Sequence, residues 1–315
     1  MTTIGASSLD VYPLCLGGNP FGWTADESAS HAVLDEYADA GGNFIDTADV
    51  YSAWIEGNQG GESETIIGSW LSGRKRDEVV ISTKVAKLPG YRGLSEKNVR
   101  TCADASLKRL QTDYVDLYYA HEFDPNVSLE ESVAVFASLQ QEGKIREVGL
   151  SNFTAEQIRD WIEEAGRQGV PAPVAIQPAY NLVWRRSFES SLETVCKDFD
   201  LGVVPYWSLA SGLLTGKYRS QADIAGAREG SLKRQASPGA FEVIDVVREI
   251  AAEHNVEPSS IAIAWLLTRP TVTAPLASAR VPEQVPPLLE GVTLTLTDED
   301  VIRLDELSEG LGDDD

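Results

Sequence analysis

Asp46, Tyr51, Lys84 and His121 are residues of complementary chemistry, well separated along the chain, and together they could reduce a carbonyl group. Hydride arriving at a carbonyl carbon leaves an alkoxide that needs a proton. Tyr51 could supply it, but a tyrosine with its ordinary pKa of about 10 is a slow donor and a poor base at neutral pH. A neighbouring ammonium favours the phenolate and lowers that pKa, which is the task assigned here to Lys84. Asp46 would hold the lysine and offset its buried charge, because an unpaired buried ion is costly. His121 would donate a hydrogen bond to the carbonyl oxygen and orient the substrate. No metal is required. Taken singly, each residue has an ordinary role: Asp46 as an N-cap, Lys84 snorkelling to solvent, His121 packed in a core, Tyr51 on a rim. Their convergence carries the catalytic reading.

Convergence follows from the elements that hold them. Short apolar runs at 12–18, 43–48, 79–85, 115–121, 145–152, 174–181, 202–208 and 272–279 read as strands. Amphipathic helical patterns lie between them at 25–40, 63–71, 95–110, 128–141, 154–167 and 187–199. Ser95 with Asn98, Ser128 with Glu131, and Thr154 with Gln157 mark helix starts, the last pair fitting a capping box. Eight near-continuously apolar strands, each followed by a helix, predict a (β/α)8 TIM barrel rather than a doubly wound sheet. In such a barrel the active site forms at the C-terminal strand ends, and the second, third and fourth strands end at Asp46, Lys84 and His121. Segment 216–238 lacks periodicity and reads as a long loop; helices at 240–254, 259–267 and 298–307 follow. The GNQGG segment at 57–61 does not directly follow a strand and reads as a flexible loop, not a phosphate cradle. Residues 1–315 are expected to form a single barrel domain with mouth loops and a C-terminal helix.

Composition narrows the setting. A formal charge of −23, from 49 acidic and 26 basic side chains, repels nucleic acid and anionic membranes. No run of about 18 apolar residues occurs, and the N-terminus has no basic start or apolar stretch, so neither a membrane span nor a signal peptide is read. Three scattered cysteines and three histidines give no disulfide framework and no metal cluster, which points to the cytoplasm. The acidic GDDD end reads as frayed.

The segments FIDTADVY (44–51), GESETIIGSWL (61–71), ISTKV (81–85), DLYYAH (116–121), VGLSNF (148–153), IQPAYNLVWR (176–185) and LGVVPYWSLASGLLTGKYR (201–219) run in order across nearly the whole chain. Through them the chain resembles the aldo-keto reductases. The resemblance implies that Tyr51 is the proton donor, with Asp46, Lys84 and His121 in the roles above. It implies that Ser151, Asn152 and Gln177 bond a nicotinamide carboxamide and that Tyr206 stacks on its ring, beside Trp207 and Ser208. It also implies a small-molecule carbonyl or alcohol as partner, acted on by an NAD(P)H-dependent enzyme.

NADP-preferring members carry Lys-Ser, and an Arg a few residues on, in the strand-eight loop. Ser278 and Ala279 stand at the first two positions and Gln284 at the third, while Leu288 replaces a common adenine-binding asparagine. Arg280 is the nearby cation, either gripping phosphate or simply solvated. Backbone donors near Pro282 and the 209–217 loop, with Leu209, Ser211, Gly212 and Lys217, could add phosphate contacts. NADP(H) is favoured, with NAD(H) open. Phe21, Trp23, Trp54 and Trp184 are the expected substrate walls, and Glu122 disfavours strongly anionic substrates. A monomer or weak homo-oligomer is expected. Two other readings stand beside this one: a nicotinamide-binding sensor similar to potassium-channel β-subunits, and a barrel lyase that forms a Schiff base on Lys84.

Overall fold

The computed structural model describes residues 1–226 and 229–312. Asp313 to Asp315, read above as part of a frayed end, lie outside the described residues, as do two residues of the 216–238 segment. The strands are β1 (Thr2–Thr3), β2 (Asp10–Val11), β3 (Cys15–Gly17), β4 (Phe44–Asp46), β5 (Val80–Val85), β6 (Val115–Ala120), β7 (Ile145–Ser151), β8 (Ala175–Gln177), β9 (Gly202–Val203) and β10 (Leu276–Ala277). The helices are α1 (Glu27–Asp39), α2 (Glu62–Leu71), α3 (Glu96–Leu110), α4 (Leu129–Gln141), α5 (Ala155–Gln168), α6 (Glu193–Phe199), α7 (Glu229–Gln235), α8 (Pro238–His254), α9 (Pro258–Leu267), α10 (Val285–Thr293) and α11 (Asp298–Ser308).

Strands β3 to β10 pair in parallel in the order β10-β3-β4-β5-β6-β7-β8-β9. A parallel bridge between Val203 and Val272 joins β9 to the segment leading into β10, and Leu276 N donates to Pro205 O at 3.0 Å. The sheet therefore closes on itself as the (β/α)8 barrel expected from sequence. All eight barrel strands are shorter than their apolar runs, and in four of them the run holds a proline: Pro13, Pro178, Pro205 and Pro275. Proline has no N–H to give a ladder, so pairing starts late or stops early there.

Two apolar layers hold the barrel. The outer one packs strand faces against helices, with Trp161, Phe136, Trp265 and Tyr180 fully buried. The inner one holds Phe44, Val80, Leu117, Tyr119, Val174 and Leu276. Ile4, Leu9 and Val11 join the inner layer because β1 and β2 form an antiparallel hairpin across the barrel floor. That hairpin has too few residues to register as a periodic pattern, and sequence reading missed it. Alternation along each strand then dictates the mouth. Two residues past Phe44 comes Asp46; past Val80 come Ser82 and Lys84; past Leu117 and Tyr119 comes His121. The floor is apolar and the mouth polar, from the same inward-facing rows.

Helix ends mostly follow their signals. Thr154 and Gln157 form the capping box, and Ser128 Oγ accepts from Glu131 N at 3.2 Å. Ser95 makes no such bond; Asn98 Nδ2 instead donates to the carbonyls of Tyr91 and Gly93, both at 2.8 Å, and ties down the preceding loop. The 187–199 helix opens with a π-helical stretch at Phe188–Leu192. Segment 216–238 is not wholly a loop, since α7 lies within it, too short to show a period. Among the described residues no helix is long and apolar enough to cross a membrane.

Gly149 faces Tyr119 inside the barrel, and a methyl group there would lie 2.4 Å from the tyrosine ring. Gly149→Ala should therefore lower stability by about 1–3 kcal/mol in urea denaturation, as overpacking does. An unchanged midpoint would mean that the Tyr119 ring can move aside.

Candidate active site

The β-ladder continues beyond β4 and carries Tyr51 to Lys84. Thr47 N donates to Ser82 O at 2.9 Å, Asp49 N to Lys84 O at 3.4 Å, and Tyr51 N closes a turn on Ala48 O at 3.2 Å. Likewise His121 N donates to Val85 O at 2.9 Å, so His121 stays in register with the end of β5. All four predicted residues thus meet at the barrel mouth.

Lys84 is fully buried, and its ammonium uses all three donors: to Asp46 Oδ2 at 2.5 Å, Thr47 O at 2.7 Å and Tyr51 Oη at 3.1 Å. Asp46, equally buried, accepts in addition from Ser82 Oγ at 2.7 Å, Gln177 Nε2 at 3.0 Å and Tyr51 Oη at 3.4 Å. Burial and the Asp46 carboxylate hold the Tyr51 phenol well above the ordinary tyrosine pKa. This corrects the expectation that Lys84 lowers it in the resting site. Asp46 offsets the ammonium's charge, so the phenol keeps its proton. Burial, then the charges of Lys84 and Lys87, push His121 well below the usual histidine range, so its ring is neutral. Its Nδ1 is buried without a partner; an N–H there would be orphaned, which favours the tautomer with the proton on Nε2.

Ser151, Asn152, Gln177 and Tyr206 line up across neighbouring strand ends. Ser151 Oγ donates to Gln177 O at 2.9 Å, Asn152 Nδ2 donates to His121 O at 2.8 Å, and Tyr206 Oη donates to Asn152 Oδ1 at 2.9 Å. Gln177 has an unexpected partner in Asp46, which links the amide row to the quartet. Beyond Tyr206 the backbone takes left-handed values at Trp207, Ala210, Ser211 and Gly212, a costly set for residues with side chains and a common signature of ligand loops. Lys217 Nζ lies 3.6 Å from where a Gly212 side chain would begin, so an ammonium overhangs this loop. Ser208, by contrast, is buried and donates to Pro205 O at 2.9 Å, a local structural bond. Amides, an aromatic ring and a cationic glycine loop in this order fit a nicotinamide dinucleotide.

The strand-eight loop is less explicit. Gln284 Oε1 accepts from Arg280 N at 2.9 Å and so closes the loop itself, while the Arg280 side chain is exposed. Ser278 is half-buried, with Oγ 2.6 Å from where a Gly17 side chain would begin. Leu288 is buried in the core.

Trp23 and Trp54 meet edge-on at 5.4 Å, and Trp54 lies 6.4 Å from the Tyr51 ring, forming one aromatic wall. Trp184 and Trp207 form another at 6.0 Å. Phe21 corrects the expected list: it is fully buried in the core, its loop turned inward by the Phe21 N to Gly18 O bond and held by Ser52 Oγ on Phe21 O at 2.9 Å. A cavity of about 330 Å³ opens beside Asn152, Gln177, Trp184, Tyr206 and Trp207. It is also lined by Arg234 of α7, which sequence reading missed because it placed that residue in a featureless loop.

The family model for the Aldo/keto reductase family matches residues 13–309. The chain belongs to this family. This aldo/keto reductase is 32% identical, over 99% of its own length and 96% of the relative's, to "Uncharacterized oxidoreductase YrpG" of Bacillus subtilis. It is 34% identical to "Putative voltage-gated potassium channel subunit beta" of Schizosaccharomyces pombe, over 96% of this chain and 92% of that one. It is also 31% identical to "Aryl-alcohol dehydrogenase GME11368" of Pestalotiopsis microspora, over 96% of this chain and 80% of that one. As a family member the protein is an oxidoreductase of aldo/keto reductase type.

Three residues past Asp46 lies a further buried acid that sequence reading did not single out. Asp49 is fully buried, and its carboxyl oxygens lack a hydrogen-bond partner of good geometry. Burial and the neighbouring Glu64 push its pKa up to about 8. A carboxyl raised in the folded state binds a proton that the unfolded chain has lost. Its contribution to stability is therefore complete below the unfolded pKa of about 3.9 and drains away as pH rises through the folded value. Asp49→Asn should remove this loss, so that the variant gains on wild type by a few kcal/mol between pH 5 and pH 8.5 in urea unfolding (on the order of one kcal/mol per pH unit). A gain independent of pH would show that Asp49 ionises freely.

Proposed function

We propose that this aldo/keto reductase is a nicotinamide-dependent carbonyl reductase working reversibly on an aldehyde or ketone. The observation that supports it most is the Lys84 ammonium held between Asp46, Thr47 O and Tyr51 Oη at the barrel mouth. When bound, the reduced nicotinamide supplies hydride to the carbonyl carbon. Tyr51 Oη gives its proton to the carbonyl oxygen, and the neutral His121 donates a hydrogen bond to the same oxygen through Nε2. Lys84 stabilises the phenolate left on Tyr51, and Asp46 fixes Lys84. Ser151, Asn152, Gln177 and Tyr206 hold the nicotinamide; the 207–212 backbone and Lys217 take the phosphates.

Residues 1–315 are read as one barrel domain, cytoplasmic, and a monomer or weak homo-oligomer; the three cysteines are buried and unpaired. NADP(H) is favoured over NAD(H), with Arg280 as the 2′-phosphate contact. A Schiff-base lyase is disfavoured, because every donor of the Lys84 ammonium is already engaged. The relative named as a potassium channel subunit supports a second reading, a nicotinamide-holding sensor, which the intact quartet argues against.

Tyr51→Phe should lower the rate of aldehyde reduction by about a hundredfold or more while leaving NAD(P)H affinity unchanged. Full activity would refute the donor assignment, and a wild-type protein that binds cofactor without turning over an aldehyde panel would favour the sensor. Arg280→Ala should raise KM for NADPH far more than for NADH, measured by steady-state kinetics with each cofactor. Equal effects would mean that Arg280 does not touch the 2′-phosphate.

A further inference from the structure

Arg234 stands out in the cavity beside Trp184 and Trp207. Its guanidinium carbon lies 5.9 Å from the Trp184 ring centre and 6.0 Å from that of Trp207, over the corner the two rings form. Among the described residues it forms no ion pair, in a chain where most arginines near carboxylates find one. None of the described residues lining the cavity is acidic. On a protein of net charge −23, a cavity whose described lining holds no carboxylate and has a guanidinium at its edge is a local reversal of the field.

The placement of Arg234 is built into the fold. Leu232 is buried, and Gln235 is buried one residue after the arginine. Gln235 Oε1 accepts from Asn181 Nδ2 at 3.0 Å, and Gln235 Nε2 donates to Ser211 Oγ at 3.3 Å. Asn181 in turn donates to Trp207 O at 3.0 Å. Helix α7 is thereby pinned to the loop that carries Trp207 and Ser211, with Arg234 directed over the tryptophan corner. Glu122, expected to repel anions, pairs with Lys87 at 3.3 Å and is largely offset.

We infer that this cavity takes an aromatic carbonyl substrate bearing a carboxylate, with the arene against Trp184 and Trp207 and the carboxylate on Arg234. A guanidinium fork matches a carboxylate in geometry, and the two indoles supply apolar faces for a flat ring. This rests on the carbonyl reductase reading, which does not itself specify a substrate class.

The test compares para-formylbenzoate with its methyl ester, which has similar shape and no charge. Wild type should favour the acid in kcat/KM, and Arg234→Gln should cut the acid-to-ester ratio about tenfold, chiefly through KM for the acid. Arg234→Lys should keep part of the preference, since a point charge remains. An unchanged ratio overturns the inference, as does a rise in KM for the nicotinamide cofactor that affects both substrates equally. If wild type reduces neither these nor any other aldehyde of a panel, the reductase reading fails, and binding then decides the site itself. Quenching of tryptophan fluorescence by para-hydroxymethylbenzoate, seen in wild type and lost in Arg234→Gln, supports the anion site; no quenching in wild type overturns it.

Discussion

The Lys84–Asp46 ion pair is inaccessible to water at either end. Removing two ions from solvent is expensive, and their attraction compensates only when every remaining donor and lone pair is also engaged. The barrel meets that demand from three strands and one loop. Ser82 and Gln177 complete the carboxylate, while the Thr47 carbonyl and the Tyr51 hydroxyl complete the ammonium. Losing either ion would strand the other, at a cost on the order of 3–5 kcal/mol. The position of Tyr51 is therefore a by-product of satisfying a buried charge. Burial, and then the Asp46 carboxylate, keep the phenol protonated.

Around this pair the mouth divides by chemistry. One side presents Trp23 and Trp54 beside Tyr51. The other presents the amide row, the left-handed loop from Trp207 to Gly212, and α7 docked upon it. Gln177 joins the two sides through Asp46, so the proposed nicotinamide contacts and the proposed proton donor share one hydrogen-bonded network. Arg234 and Lys217 face this region as cations on an otherwise acidic protein, a distribution that draws anions inward to the mouth.

Much of this was legible in the sequence, because strand alternation and the C-terminal-end rule are local and periodic. Asp46, Lys84 and His121 could be placed from the ends of apolar runs, and the capping box at Thr154 from spacing alone. The β1–β2 hairpin and α7 were not legible, being two-residue strands and a seven-residue helix. Their stability comes from tertiary contacts, through Ile4, Val11, Leu232 and Gln235, which no short window contains. Phe21 was misplaced for a related reason: which of two neighbouring aromatics turns inward depends on a bond from Ser52, far along the chain. The sign of the Tyr51 shift also lay beyond sequence, since it depends first on how deeply the fold buries the phenol and then on how closely Asp46 approaches it.

The central claim is that Asp46 and burial together keep the proton on Tyr51 in the resting protein. Titrating the phenolate absorbance of wild type against Tyr51→Phe tests it directly. The account predicts no difference in phenolate signal as pH rises to the ordinary tyrosine value of about 10. A difference band that grows in near neutral pH would contradict it, and would mean that the Lys84 ammonium, not Asp46, sets the state of the phenol.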